Sequence, residues 1–439
     1  MAKCWRYLPR LNGAVEIKCM LFNDHPLRAR VVSEMHMRRM PALPPPMLMV
    51  QMVRLVDPAD RASEREHILS MPGVSADAID ERNRHIGGQR GDGMEFLWEC
   101  HSEATTTTLI MPASKINAFS PNVDDTAALQ WLLNAPGQVL RAVYIAIVAD
   151  QDDAAAAMAA ADFSVSELVS CTIGPVRIWS DFLIRDNNFG RLLVCAGGLP
   201  PADLGRVVQQ VQELGNYRNL ALLGLPLAQE QGPVIAKLEQ ALVGIAERMA
   251  EGEADTLLLD QLCALAAQVT SITASTAFRM SATAAYTRIV EDRLEALNAL
   301  AIVGYQTLED FTERRLLPAT RTCASFTARL EALSVRIERA TSLLRTRIEM
   351  ALQAQNAALL QSMDKNAERQ LRLQHVVEGL SVVAVSYYAV SLLSYILHAA
   401  ATFYRFPHEQ LIAISVLPVT TLVWLFLRFK VRAIVSLDA

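Results

Sequence analysis

With 439 residues and a formal charge of -5 at pH 7, the chain has room for about three domains and lacks the basic excess that a nucleic-acid footprint over the whole molecule would need. Its 7 cysteines are scattered, odd in number and never spaced as C-x-x-C, which reads as reduced cytoplasmic thiols and not as a disulfide frame or a zinc site. No continuous apolar core followed by a small-residue cleavage site opens the sequence, so we expect no signal peptide and most of the mass in the cytoplasm.

Residues 1–24 form an N-terminal extension in which little can be read, and 25–200 read as an α/β domain. It opens on HPLR (His25 to Arg28), followed by Glu34, His36 and Arg38 and then by a Pro-rich arm, Pro41 to Pro46, whose fixed φ and missing donors make it an extended lead into a strand at Met47 to Val56. Asp60 to Leu69 reads as a helix and Arg82 to Gly93 as a charged, Gly-rich loop. Strands are expected at Met94 to His101, Thr105 to Met111, Val139 to Val148, Val176 to Ile184 and Arg191 to Ala196. The first two and the last two have hairpin spacing, which predicts a mainly antiparallel sheet with the alanine run Gln151 to Ala161 as a helix across it.

After Pro200 and Pro201 the apolar period changes from two to helical. Leu204, Val207, Val208, Val211 and Leu214 share a face, Asp203 starts the helix, and Gly224 with Pro226 ends it. Pro233 opens a second helix, Ala254 to Val269 is a third, and Ser275 to Leu300 a fourth with a small-residue face (Ala277, Ala282, Ala284, Ala285) suited to close packing. This helical domain covers 201–318. Between Pro318 and Gly379 neither Gly nor Pro occurs, which predicts one long stalk helix over 319–378 with an apolar ladder of Leu330, Leu333, Ile337, Ala340, Leu344, Ile348, Leu352, Gln355, Leu359 and Met363. Its steps average about 3.67 residues, the period of a straight or slightly right-handed, coiled-coil-like bundle. Such a stripe needs partners, either the preceding helices or copies of itself in a homo-oligomer.

The last segment, 379–432, reads as a transmembrane hairpin. Gly379 to Ala401 carries no charge over about the 20 residues a bilayer needs, and a second apolar run lies within 408–428. Arg369, Arg372 and His375 precede the first run, and Arg428, Lys430 and Arg432 follow the second. The positive-inside rule therefore puts both ends in the cytoplasm of a bacterial inner membrane. Phe403, Tyr404 and Phe406 mark the outer interface, with Trp424 and Phe429 at the inner one.

Two runs near this end, LLRTRIEMALQAQNAALLQSM (Leu343 to Met363) and QLRLQHVVEGLSVVAVSYYAVSLLSY (Gln370 to Tyr395), resemble the bacterial membrane proteins called domain of unknown function 3422. So do HPLR with Glu34 and His36, FRMSATAAYTRIV (Phe278 to Val290) and PATRT (Pro318 to Thr322), so the similarity covers nearly the whole chain after Asp24. The chain departs from the family at Trp98-Glu99-Cys100-His101, with Cys in place of Arg, and at Glu213 to Arg218, which lacks a second acidic residue. The resemblance implies membrane anchoring and no established activity. In plan, the chain is also similar to CorA-type magnesium channels, which are pentamers whose first membrane helix lines the pore, although Ala399 to Arg405 (AAATFYR) stands where those proteins carry Gly-Met-Asn.

His25, Glu34 and His36, joined by Glu99, His101 and Glu103, are the polar cluster that could ligate a metal or move protons, with structural ion pairs to Arg28 and Arg38 as the plainer reading. No nucleotide, hydrolase or zinc-protease motif occurs, so no enzyme activity and no cofactor is expected. In the first membrane helix Ser381, Tyr388, Ser391 and Tyr395 fall near one face with Glu378 at its cytoplasmic mouth. Either this is helix-to-helix glue, or it is a pore stripe whose carboxylate ring concentrates cations. The sequence thus predicts an α+β head, a helical stalk and a membrane hairpin. The leading function is an oligomeric, membrane-anchored scaffold or regulatory protein with lipids as its partners; the alternative is a CorA-like channel for a divalent cation.

Overall fold

The strand β1 (Met47–Leu55) has eight of its nine residues buried, so it cannot be an edge. A run that is apolar on both faces belongs in the middle of a covered sheet. In the computed structural model, which describes residues 25–28, 31–32, 40–74, 84–90, 93–113, 118–119, 126–401 and 407–435, it does lie there. It pairs antiparallel with β4 (Ala104–Pro112) and β5 (Gln138–Val148), Gln51 standing opposite both Thr108 and Val143. The remaining described strands are β2 (His85–Gln89), β3 (Glu95–Cys100), β6 (Val169–Ile173), β7 (Val176–Ser180), β8 (Gly190–Cys195) and the short β9 (Leu300–Ala301). Their order is β2-β3-β4-β1-β5-β8-β7-β6-β9, and β5 with β8 is the parallel pair in an otherwise antiparallel ladder. The β3–β4 and β7–β8 hairpins pair as their spacing predicts.

Helices cover both faces of the sheet. The alternating residues Leu48, Val50 and Met52 pack with Ile68 of α1 (Arg61–Leu69) and Leu132 of α2 (Thr126–Leu133). Ala154 and Ala157 of α3 (Gln151–Ala160) sit on Ala146, Leu193 and Cys195. That helix is started by Asp150, whose carboxylate accepts from the amides of Asp152 at 3.1 Å and Asp153 at 2.9 Å. On the opposite face Met49, Val53, Val143 and Ile145 meet Leu204, Val208, Val211 and Leu214 of α4 (Pro201–Leu222).

The helices beyond α4 are longer than their sequence breaks suggest. α5 (Gly224–Glu251) begins at the glycine expected to end α4 and runs through Pro233; Pro226 falls in its first turn, where a missing N–H costs no bond. The two helices expected at Ala254 to Val269 and Ser275 to Leu300 are one, α6 (Asp255–Leu297). The intervening Ser/Thr-rich stretch stays helical, and Thr270, Thr273 and Thr276 satisfy their hydroxyls on carbonyls one turn back at 2.7 to 2.8 Å. α7 (Leu308–Ala401) is a single helix of 94 residues, roughly 140 Å at 1.5 Å per residue, and contains Pro318 and Gly379 without interruption. α8 (His408–Val435) returns from it.

The chain divides into two compact units, Met1–Gly244 with Ala264–Ile337, and Ile245–Cys263 with Glu338–Ala439. In the second, Gly252 at φ 81° turns α5 into α6, and Arg347 of α7 donates to the Met249 carbonyl at 3.1 Å and lies 3.4 Å from Asp255. Leu258, Leu262 and Leu344 are fully buried there. Residues 349–377 are then exposed on every side, so the predicted ladder is covered at Leu330, Leu333, Ile337 and Leu344 and bare at Leu352, Leu359 and Met363.

Candidate functional site

A helix lying on a sheet normally turns an apolar stripe to it, yet α4 carries Gln212 and Asn216, four residues apart, on its buried side. Buried amides need partners. They find one in Arg141 of β5, whose Nη1 donates to Gln212 Oε1, Asn216 Oδ1 and, from β1, Gln51 Oε1, each at 2.9 Å. Gln51 in turn donates from Nε2 to Thr108 Oγ1 at 3.1 Å. Gly215 makes room, since a Cβ there would stand 3.0 Å from Arg141 Nη2. All three acceptors are neutral, so they orient the guanidinium without cancelling its charge. Burial, aided by the positive charge of Arg218, pulls Arg141 down to about 9, and burial with Arg315 nearby pulls Arg218 down to about 10. Both stay protonated at neutral pH.

This polar seam separates two cavities. The smaller, of about 260 Å³, is lined by His85, Trp98, Glu99, Gln212, Glu213 and Asn216, so the structure brings the Trp98 to His101 segment against the Glu213 to Arg218 segment. Glu99 lies 3.7 Å from His85 Nδ1 and 3.8 Å from His101 Nε2, and the His101 ring meets the edge of Tyr217 at 6.2 Å. Tyr217 stacks on Tyr286 at 5.7 Å. Glu103 is clamped by Arg279 at 3.0 Å and accepts from the Tyr286 hydroxyl, whose ionisation is pushed far up by burial and then by that carboxylate. Arg279 and Tyr286 both belong to the FRMSATAAYTRIV segment, which thereby joins the same seam.

Of the sequence-predicted cluster, Glu99 and His101 are neighbours and Glu103 is engaged by Arg279. His25 is exposed and its ring accepts from the Leu27 amide at 3.2 Å. Glu34 and His36 lie outside the described residues. Among the described residues no three His, Cys, Asp or Glu side chains converge as metal ligands would. Sequence reasoning missed Gln51, Arg141, Gln212, Asn216 and Arg218. The available signal was a pair of amides at i,i+4 within an apolar helical stripe.

The larger cavity, about 600 Å³, opens at the start of the parallel pair β5 and β8, with Arg141, Phe182, Asn187, Gly215, Arg218 and Asn219 in its wall. Arg218, 8 % exposed, lies with its guanidinium over Phe182 at 4.3 Å and Phe311 at 5.1 Å.

Among the described residues three helices are long and apolar enough to cross a membrane by length and composition: α6, α7 and α8. Only 6 % of the most apolar stretch of α7, and none of that of α8, is buried within the chain, against 22 % in α6, which also feeds Tyr286, Val290 and Leu297 into the sheet's core. In α7, Ser386 is buried while Tyr388 and Tyr395 are exposed. At 100° per residue Ser381, Tyr388, Ser391 and Tyr395 span about 80° and Ser386 lies opposite them, so the hydroxyl face points away from the covered side of the helix. Ser381 donates to its own backbone at Val377, and Glu378 stands 3.5 Å from His375. Arg428 covers the Trp424 ring at 4.8 Å, whereas Phe403, Tyr404 and Phe406 lie outside the described residues.

No curated protein and no solved structure matches the chain, and the likeness of plan to CorA-type channels finds no support there. The sequence pattern of the family described as Protein of unknown function (DUF3422) matches residues 23–434, nearly the whole chain, and the chain belongs to that family.

Proposed function

We propose that this chain is an integral protein of the bacterial inner membrane, held by the α7–α8 hairpin with both ends in the cytoplasm, and that it works as an oligomeric scaffold or regulatory protein. The bare apolar surface of the hairpin carries the reading. Val383, Leu392 and Ile396 of α7 and Ile414, Leu417, Leu422 and Phe426 of α8 are more than half exposed, a surface that water would not tolerate and a bilayer would cover. Basic residues at the two hairpin ends support the orientation. The bare ladder at Leu352, Leu359 and Met363 supports assembly, because a helix of that length does not leave its stripe in water.

The test is extraction and topology together. Alkaline carbonate should leave the protein in the membrane pellet, and cysteine introduced at Glu409→Cys should be labelled from outside intact spheroplasts by an impermeant maleimide, while Ser334→Cys is labelled only after lysis. Release into the carbonate supernatant would overturn the anchoring, and labelling of position 334 from outside would reverse the orientation.

A further inference from the structure

The wall of the larger cavity poses an electrostatic problem. Arg218 is almost fully withdrawn from solvent, and among the described residues no group accepts a hydrogen bond from it. A guanidinium is a flat cation with donors around its rim, and here the Phe182 and Phe311 rings, packed on each other at 4.5 Å, offer it π-faces and no hydrogen-bond acceptor. Arg141 has a related deficiency: Nη1 serves all three amide oxygens, while Nη2 and Nε lie against the bare backbone of Gly215 without an acceptor among the described residues.

Among the described residues no Asp or Glu lines the cavity. The carboxylates of nearby elements are spoken for: Asp181 accepts from Arg185 and from the amides of Ser164 and Leu183, Glu167 pairs with Arg315 at 2.7 Å, and Glu213 pairs with Arg293 at 2.9 Å. Two repelling cations buried side by side without a counterion destabilise a fold unless something else neutralises them. The rest of the wall is mixed: Asn187 and Asn219 offer amides, while Leu140, Leu183, Val211 and Leu214 offer hydrocarbon. The loop carrying part of this wall holds Phe182 at φ 53° and Asn188 at φ 64°, a costly backbone for an aromatic residue, and it sets the Phe182 ring against Arg218.

We propose that this cavity binds a small organic anion whose carboxylate or phosphate accepts from the rims of Arg218 and Arg141 and whose apolar body lies against Leu140, Leu183, Val211 and Leu214. The volume is that of an ordinary small-molecule site. The charge is read by two arginines held in place by neutral groups, so an anion meets a preformed site and has no internal carboxylate to displace.

The experiment uses the full chain in nanodiscs of zwitterionic lipid, in phosphate-free buffer, titrated calorimetrically with octanoate, inorganic phosphate and n-octanol. Octanoate, with charge and tail, should bind saturably; phosphate, with charge alone, should bind more weakly; octanol, with tail alone, should give no saturable heat. Arg218→Met should weaken octanoate at least tenfold, and Gly215→Ala, which crowds Arg141, should weaken it severalfold. Without ligand, Arg218→Met should melt at or above the wild-type temperature, because it removes an uncompensated buried charge. Three results would overturn the proposal: no saturable heat from octanoate or phosphate with the wild-type chain, unchanged octanoate affinity in Arg218→Met, or an unliganded Arg218→Met that melts lower or does not fold. The last would make Arg218 a structural cation seated against the packed Phe182 and Phe311 rings.

Discussion

Arg54 and Glu64 lie within electrostatic reach of each other on the other face of the sheet, and single substitutions there should not add. Arg54 is 2 % exposed; one of its nitrogens donates to the Leu132 carbonyl, while Nε and Nη1 find no acceptor among the described residues. Burial lowers its pKa and the charge of Glu64 raises it again. Glu64 accepts from Trp98 Nε1 at 3.2 Å, and its Oε2, without a hydrogen bond, stands 3.7 Å from Arg61. Each charge therefore tolerates burial partly because of the other, so Arg54→Met and Glu64→Gln should each destabilise by about 2 kcal/mol and the double variant by about 1 kcal/mol less than their sum. Urea unfolding of the four proteins checks it, and strict additivity would mean the two do not interact. The thiols give a second residue-scale expectation. Burial holds Cys171 up at about 11 and raises Cys195 and Cys323, so at pH 7.5 none of the three supplies thiolate, while Cys263 is exposed. Iodoacetamide followed by mass spectrometry should modify Cys263 under native conditions and the other three only in denaturant; early modification of Cys171 would show that the sheet opens there.

Elements were legible where their period was unbroken and misread where one residue type carries two meanings. Gly87-Gly88 looks like a loop but lies in β2, where a Cβ on Gly88 would stand 2.4 Å from the Phe96 ring and 2.8 Å from the Gly73 carbonyl, so the glycine serves close approach between strands. The same ambiguity hid the start of α5. Gly224 reads as a helix stop, yet its absent Cβ is what admits Thr283, whose hydroxyl donates to the Ala221 carbonyl at 3.1 Å. A Cβ there would lie 2.4 Å from the Thr283 hydroxyl oxygen, so Gly224→Ala should lower stability by about 1 to 3 kcal/mol in thermal unfolding, and a neutral result would mean α5 and α6 can separate freely. Along α7 the ladder period was readable but not how far its cover extends, because the sequence does not say where α5 and α6 turn back. That limit yields a contrast. Leu344→Asp buries a carboxylate at a site with 0 % exposure and should destabilise the folded chain by several kcal/mol, whereas Leu352→Asp, at a site 56 % exposed, should leave the melting temperature of the chain unchanged and act only on assembly. Equal loss of stability in both would mean that the stripe is covered well past Arg347.

At the scale of the whole molecule the two apolar helical runs near the C-terminus were the most legible part, since length and composition alone mark them as long and apolar enough to cross a bilayer. The site in the head was the least legible, because Arg141 and Arg218 are brought together by the sheet register and by α4 and share no local motif. What the proposed hairpin would do beyond anchoring turns on the outward hydroxyl face of α7. If copies of the chain assemble with Ser381, Tyr388, Ser391 and Tyr395 toward a common axis, the carboxylates of Glu378 form a ring at the cytoplasmic end and attract cations. Glu378→Gln would then lower cation flux in proteoliposomes while the particle mass stays the same, because the ring loses charge and keeps its shape. If the hydroxyls serve only to join helices, there is no flux to lower, and Tyr388→Phe with Ser391→Ala should loosen the assembly by about 0.6 kcal/mol per lost bond. Ser381 already satisfies itself on the Val377 carbonyl at 2.8 Å, so Ser381→Ala should change neither quantity and serves as the control. We expect the second pattern, an assembly without flux, since the scaffold reading asks of the hairpin only that it hold. A wild-type protein that passes magnesium or monovalent cations under a gradient, with that flux reduced by Glu378→Gln, would replace the scaffold with a channel.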